Sequence, residues 1–150
     1  LARRREADSP DERTILVMIH GLQRYRDLRK REESYSFSLD EPSSDTPRPL
    51  APDKALAELL REGPAHGIHV IASADTVAAL DRTIERGLMR EFDHRVLFQM
   101  SAADSATLID SAAANKLGAY RAIHFSEEQG VIEKFRPYAL PDKGLMERFR

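Results

Sequence analysis

The chain has 150 residues, with 23 Lys+Arg against 25 Asp+Glu, 41% apolar residues, no Cys and no Trp. That length suits one domain of roughly 100–150 residues, and the lack of Cys excludes a disulfide scaffold, a thiolate metal site and a cysteine nucleophile. A net charge of −2 makes no electrostatic case for nucleic-acid binding by the chain as a whole, and no apolar run approaches the ~20 residues of a membrane helix. The expectation is a soluble, cytoplasmic piece of a longer protein, because the first residue is Leu and no signal-peptide pattern follows.

Residues 1–13, LARRREADSPDER, read as a charged linker. Thr14 to His20, TILVMIH, is a continuous apolar run rich in β-branched residues, the pattern of a strand buried on both faces. Gly21 ends it, and LQRYRDLRKREE follows. Its basic residues Arg24, Arg26, Arg29, Lys30 and Arg31 are interleaved with Asp27, Glu32 and Glu33, which favours a solvated face over a phosphate-binding patch. Residues 34–52 are rich in Ser, Asp and Pro and read as a flexible insert.

Beyond the insert, DKALAELLREGPAHG predicts a helix capped by Asp53, with Leu56, Leu59 and Leu60 buried and Gly63-Pro64 as its stop. Ile68 to Ser73 predicts a second buried strand, and TVAALDRTIERGLMREF one or two helical turns interrupted near Gly87. Arg95 to Met100 predicts a third strand. Ser101 to Asp104 is a helix-capping pattern for a helix running to about Asp110. Ala122–Phe125 and Val131–Phe135 flank SEEQG as a hairpin with Gly130 in its turn, and residues 141–150 close the chain as a short helix or tail. Alternation of strand and helix predicts an α/β fold: a parallel sheet with helices on both faces, ending in a β-hairpin.

Ligands of open parallel sheets sit beyond the carboxyl ends of the strands. His20-Gly21, Ser73-Ala74-Asp75-Thr76 and Ser101 are therefore the positions to inspect, although helix caps and turns produce the same pattern. An apolar strand ending in acidic residues is the Walker B pattern, whose carboxylate holds Mg²⁺. Here the strand ends in His20-Gly21, and imidazole is a poor ligand for Mg²⁺. No G-x-x-x-x-G-K-[ST] phosphate loop occurs either, so this chain alone is not expected to hydrolyse ATP. His20, His66, His69, His94 and His124 show no metal-ligand spacing, so no metal site is expected, and no G-x-S-x-G marks a hydrolase. Arg95 follows EFDH directly: it either pairs with Asp93 or Glu91 or is presented to a phosphate.

Three segments, in order, resemble the motor domain of the FtsK/SpoIIIE branch of the FtsK–HerA superfamily, over roughly residues 14–140. LLREGPAHGIHVIAS is similar to that family's helix, small turn, G-I-H and apolar strand. EFDHRVLFQMSAADSATLID is similar to its R-[IV]-x-F-Q-[VM]-S…D-S…L-[IL]-D stretch, and AAANKLGAYRAIHF to the segment before its terminal hairpin.

The resemblance implies the C-terminal part of a RecA-like P-loop ATPase core that works as a hexameric ring and moves double-stranded DNA, gripped through its phosphates. It implies ATP and Mg²⁺ as cofactors of the parent domain, none held by this chain alone, and no membrane contact by this segment, whatever anchors the parent chain elsewhere. It places His20 and Gly21 where active members carry Asp and Glu, a degenerate Walker B. Asp75 falls near the polar sensor position, and Arg95 matches the family arginine as a candidate trans-acting arginine finger. With the acidic pair replaced, either another carboxylate such as Asp75 or Asp27 substitutes, or the module is a catalytically inactive ATPase-like scaffold. Some relatives move proteins in secretion, which leaves a protein-translocating ATPase as a further alternative.

Overall fold

The computed structural model describes Leu1, residues 13–30 and residues 50–148. Most of the charged linker, residues 34–49 of the insert, Arg31, Glu32 and Glu33 of the basic segment and the last two residues lie outside the described residues. The chain divides into two compact units, Leu1–Phe92 and Asp93–Arg150.

In the first unit the β-branched run forms β1 (Ile15–Ile19), which pairs in parallel with β2 (Ile68–Ala72) in the register Ile15↔Ile68 to Ile19↔Ala72. Between them lie single turns at Leu22–Arg24 and Arg26–Leu28 and the helix α1 (Pro52–Glu62). Pro52 opens α1, where a missing N–H costs nothing because the first turn has no acceptor for it. Asp53 lies inside that first turn rather than at the cap, which falls on Ala51 with no side-chain hydrogen bond. Its charge still complements the positive end of the helix.

Leu56 and Leu60, one turn apart, bury the inner stripe of α1 with Leu22, Ile84 and Leu88, while Leu59 is half-buried. Gly67, at φ +66°, turns the chain from Pro64–His66 into β2. Beyond β2 come a short helix, α2 (Val77–Asp81), capped by the Thr76 hydroxyl accepting from the Ala79 N–H, and a 3₁₀ turn at Arg86–Glu91.

Among the described residues the parallel pair is covered on one side only, contrary to the expectation of strands buried on both faces. Ile19, Val70 and Ala72 pack on the leucine cluster. Leu16, Met18 and Ile71, on the alternate positions, are 58%, 76% and 52% exposed. The apolar run is uninterrupted because both faces are apolar, but the described helices of this unit supply a layer for only one of them.

The second unit holds β3 (His94–Leu97), α3 (Ala102–Ile109), a 3₁₀ turn at Ala112–Lys116, β4 (Ala122–Ser126), β5 (Val131–Phe135) and α4 (Lys143–Glu147). The Ser101 hydroxyl accepts the Asp104 N–H at 3.0 Å, as its spacing predicts, and the hairpin β4–β5 turns at Gly130. The third strand is shorter than expected. It does not extend the parallel sheet: β3 pairs antiparallel with β4, and the sheet runs β3-β4-β5. Apolar content and length are the same for a parallel and an antiparallel strand here, so pattern alone could not separate them. Leu97, Ile109, Ala114, Leu117 and Ile123 form the core of this unit. The protein is thus α/β in content, with a two-stranded parallel sheet and a three-stranded antiparallel sheet.

Candidate functional site at the strand ends

β1 and β2 end in register, so the next residues of each, His20 and Ser73, meet. The zipper continues past the strands: Ser73 N–H donates to the Ile19 carbonyl at 3.0 Å, and Leu22 N–H to the Ser73 carbonyl at 2.8 Å. The Ser73 hydroxyl accepts the Gly21 N–H at 3.0 Å and lies 3.1 Å from His20 Nδ1. The hydroxyl keeps a proton to give and a second lone pair to accept with, so the contact can run from Ser73 to Nδ1 or from Nδ1–H to Ser73. Gly21 sits at φ +74°, a conformation a side chain resists, and a Cβ there would stand 3.1–3.2 Å from the Arg24 and Gln23 side chains.

Two residues further along each chain, the Gln23 amide donates to the Asp75 carboxylate. The Arg29 guanidinium lies 3.5 Å from the Gln23 carbonyl. The strand ends therefore bring together His20, Gly21, Gln23, Ser73 and Asp75, all within the first unit. Asp27 enters none of these contacts. Arg24, Arg26, Arg29 and Lys30 are exposed, with Asp27 exposed among them.

As a cation site this set is unsuited to Mg²⁺. The ion wants several oxygen ligands in octahedral array, whereas these strand ends offer an imidazole, one hydroxyl and a single carboxylate that already accepts from Gln23. Among the described residues no three His, Asp or Glu converge closely enough to hold a metal.

Arg95 lies in the second unit, on β3 opposite Phe125. Its Nη1 donates to the Leu108 carbonyl at 2.6 Å, Nη2 is 2.5 Å from Glu127 Oε2, and the guanidinium carbon stands 5.3 Å from the Phe125 ring centre. Only 11% of the side chain is exposed. The guanidinium thus joins β3, α3 and the hairpin turn of its own unit. Asp93, one of the partners considered from sequence, is committed to that same turn. Its carboxylate accepts the Glu128 N–H at 2.6 Å and lies 3.3 and 3.4 Å from the Ser126 hydroxyl. The Glu128 N–H, followed by the charge of His94 and the Ser126 hydroxyl, holds the Asp93 carboxyl below its ordinary range against an opposing desolvation.

No family model and no curated protein matches the chain.

Arg95→Met is expected to destabilise the second unit by about 1–2 kcal/mol. Screening limits the figure, since Glu127 is 41% exposed. Arg95→Lys should restore less than half, because an ammonium cannot reach both oxygens as the planar fork does. Thermal melts of the two variants against the parent chain read this directly.

Sequence reasoning missed Gln23 as the partner of Asp75 and Glu127 as the partner of Arg95. The first had a faint signal, a polar amide just beyond the glycine that ends β1. The second needed the hairpin register, which puts Glu127 in the turn immediately after Ser126, the residue paired with His94.

Proposed function

We propose that this chain is the C-terminal part of an FtsK/SpoIIIE-like motor domain, contributing sheet core and subunit interface to a ring-forming DNA translocase. The observation that carries the reading is the one-sided parallel pair. Parallel strands are characteristically covered on both faces and occur in larger sheets. β1 and β2 leave Leu16, Met18 and Ile71 open on one face, directly below a polar cluster at their carboxyl ends. Such a pair is what the second half of a RecA-like sheet presents when the strands and helices of the other half come from outside these residues. The phosphate loop would come from outside as well, since none of the 150 residues forms one. DNA would be gripped through phosphates by the assembled ring, because the chain's own charge is close to balanced.

His20 and Gly21 favour a second reading, an ATPase-like scaffold without turnover of its own. The strand end offers no free carboxylate for Mg²⁺, and the Asp75 carboxylate is occupied by Gln23. Arg95, engaged within its own unit, serves a neighbour's nucleotide only by leaving Glu127 and the Leu108 carbonyl.

The test is ATP hydrolysis by the longer parent protein with and without double-stranded DNA, with this 150-residue chain as the control. DNA-stimulated turnover by the parent and none by the chain is the expected result. A parent that forms rings yet is inert would replace the motor by the scaffold, and a parent that neither assembles nor binds DNA would remove both.

A further inference from the structure

On the outer face of the three-stranded sheet two imidazoles touch. His94 pairs with Ser126, and His124 with Val96, so the two histidines stand diagonally on adjacent strands. His124 Nε2 lies 3.1 Å from His94 Nδ1, the ring centres are 5.1 Å apart and the planes are inclined by 33°. Behind His94, its other ring nitrogen, Nε2, is 3.4 Å from Asp93 Oδ2. A carboxylate in that place favours the tautomer with the proton on Nε2 and Nδ1 bare, the form that can accept the Nε2–H of His124.

Two ring nitrogens held this way match the bite of a transition-metal ion. Imidazole nitrogens bind such ions at about 2.0–2.1 Å, which separates two of them by roughly 2.8–3.0 Å at a right angle and roughly 3.3–3.4 Å at the tetrahedral angle. The observed 3.1 Å falls between. A carboxylate behind a histidine is also the usual arrangement around ligating imidazoles, fixing the tautomer and raising the basicity of the metal-bound nitrogen. The His94 side chain is 66% exposed, so an ion has open access.

We propose that His94 Nδ1 and His124 Nε2 form a two-histidine site for a divalent transition-metal ion of the Zn²⁺ class, with Asp93 behind His94 and water completing the coordination. On binding, the proton that now bridges the rings leaves Nε2 of His124 and is taken up through water at Nδ1 of the same ring. Imidazole donors select Zn²⁺, Ni²⁺ and Cu²⁺ over Mg²⁺ and Ca²⁺. The site is independent of the motor reading, since it lies wholly in the second unit and uses none of the strand-end residues.

The experiment is titration of the chain with Zn²⁺ alone, followed by calorimetry and by NMR of the histidine rings. One equivalent should bind, moving the ring resonances of His94 and His124 and leaving those of His20, His66 and His69 in place. His94→Gln and His124→Gln should each weaken binding at least about tenfold, and Asp93→Asn about tenfold. His69→Gln, on β2, should change nothing. No binding, an affinity unaltered by either histidine substitution, or shifts confined to the other histidines would overturn the proposal. If a substituted chain loses its circular-dichroism spectrum, the ring resonances of the unaltered chain still decide.

Discussion

Gly63→Ala is expected to lower the stability of the first unit by about 2–3 kcal/mol, although alanine is intrinsically the better helix residue. Gly63 caps α1 and is buried. Its N–H donates to the Leu59 carbonyl, and its own carbonyl accepts from both His66 and Ile68, each at 2.9 Å. This single residue therefore fastens the end of α1 to the start of β2. A Cβ built there collides with the Leu59 carbonyl oxygen and lies 2.8 Å from that of Ile68, and both are backbone atoms that cannot swing away. At φ −52° the backbone is ordinary, so the penalty is steric rather than conformational. The gain of about 0.5–1 kcal/mol from replacing glycine works in the other direction and is outweighed. Urea unfolding should show a lower midpoint at unchanged slope. An unchanged midpoint would mean that the joint between helix and strand yields without cost.

Leu22→Ala should cost about 3 kcal/mol, within the roughly 2–5 kcal/mol usual for emptying a leucine site in a packed core. Leu22 has no exposed surface and packs with Leu56, Leu60, Ile84 and Leu88. Its position makes it more than filler. It follows His20-Gly21 directly, and its N–H holds the Ser73 carbonyl at 2.8 Å. The buried side chain thus anchors the turn that presents His20 to Ser73. Leu22→Met, nearly equal in volume, should lose less than about 1.5 kcal/mol. Denaturant unfolding of the two variants measures the difference, and equal losses would show that the cavity at this site closes by relaxation.

Much of the local structure was legible in the residues, and the reasons differ by element. The Ser101 cap and the Gly130 turn follow from side chains that act on their own neighbours, so spacing suffices to place them. The leucines of α1 could be read from helical periodicity, although Leu59 proved to lie at the margin of the stripe. What periodicity cannot carry is partnership between distant segments. β1 is apolar on both faces, and the single polar residue of β2, His69, is too slight a sign that one face goes uncovered. β3 carries no mark that distinguishes an antiparallel neighbour from a parallel one.

The candidate site was half legible. His20, Gly21 and Asp75 stood out as the residues after strands, and the structure brings them to one end of the parallel pair. Arg95 was singled out by the charge it introduces beside an apolar strand. Its engagement with Glu127 and the Leu108 carbonyl depends on the fold of the hairpin and of α3, which lie far along the chain. The contact between His94 and His124 was invisible for the same reason: two residues separated by a helix and a turn meet only once the strand register is fixed.

The open face of β1 and β2 also bears on how the chain behaves as a particle in solution. Leu16, Met18 and Ile71 form a sticky patch, while a net charge of −2 supplies little long-range repulsion between copies. Charged residues make up 32% of the sequence, but their signs nearly cancel, so they hydrate the surface without keeping molecules apart. Colloidal stability of the isolated chain then depends on short-range hydration around that patch, and ionic strength, which acts by screening repulsion, has little left to screen.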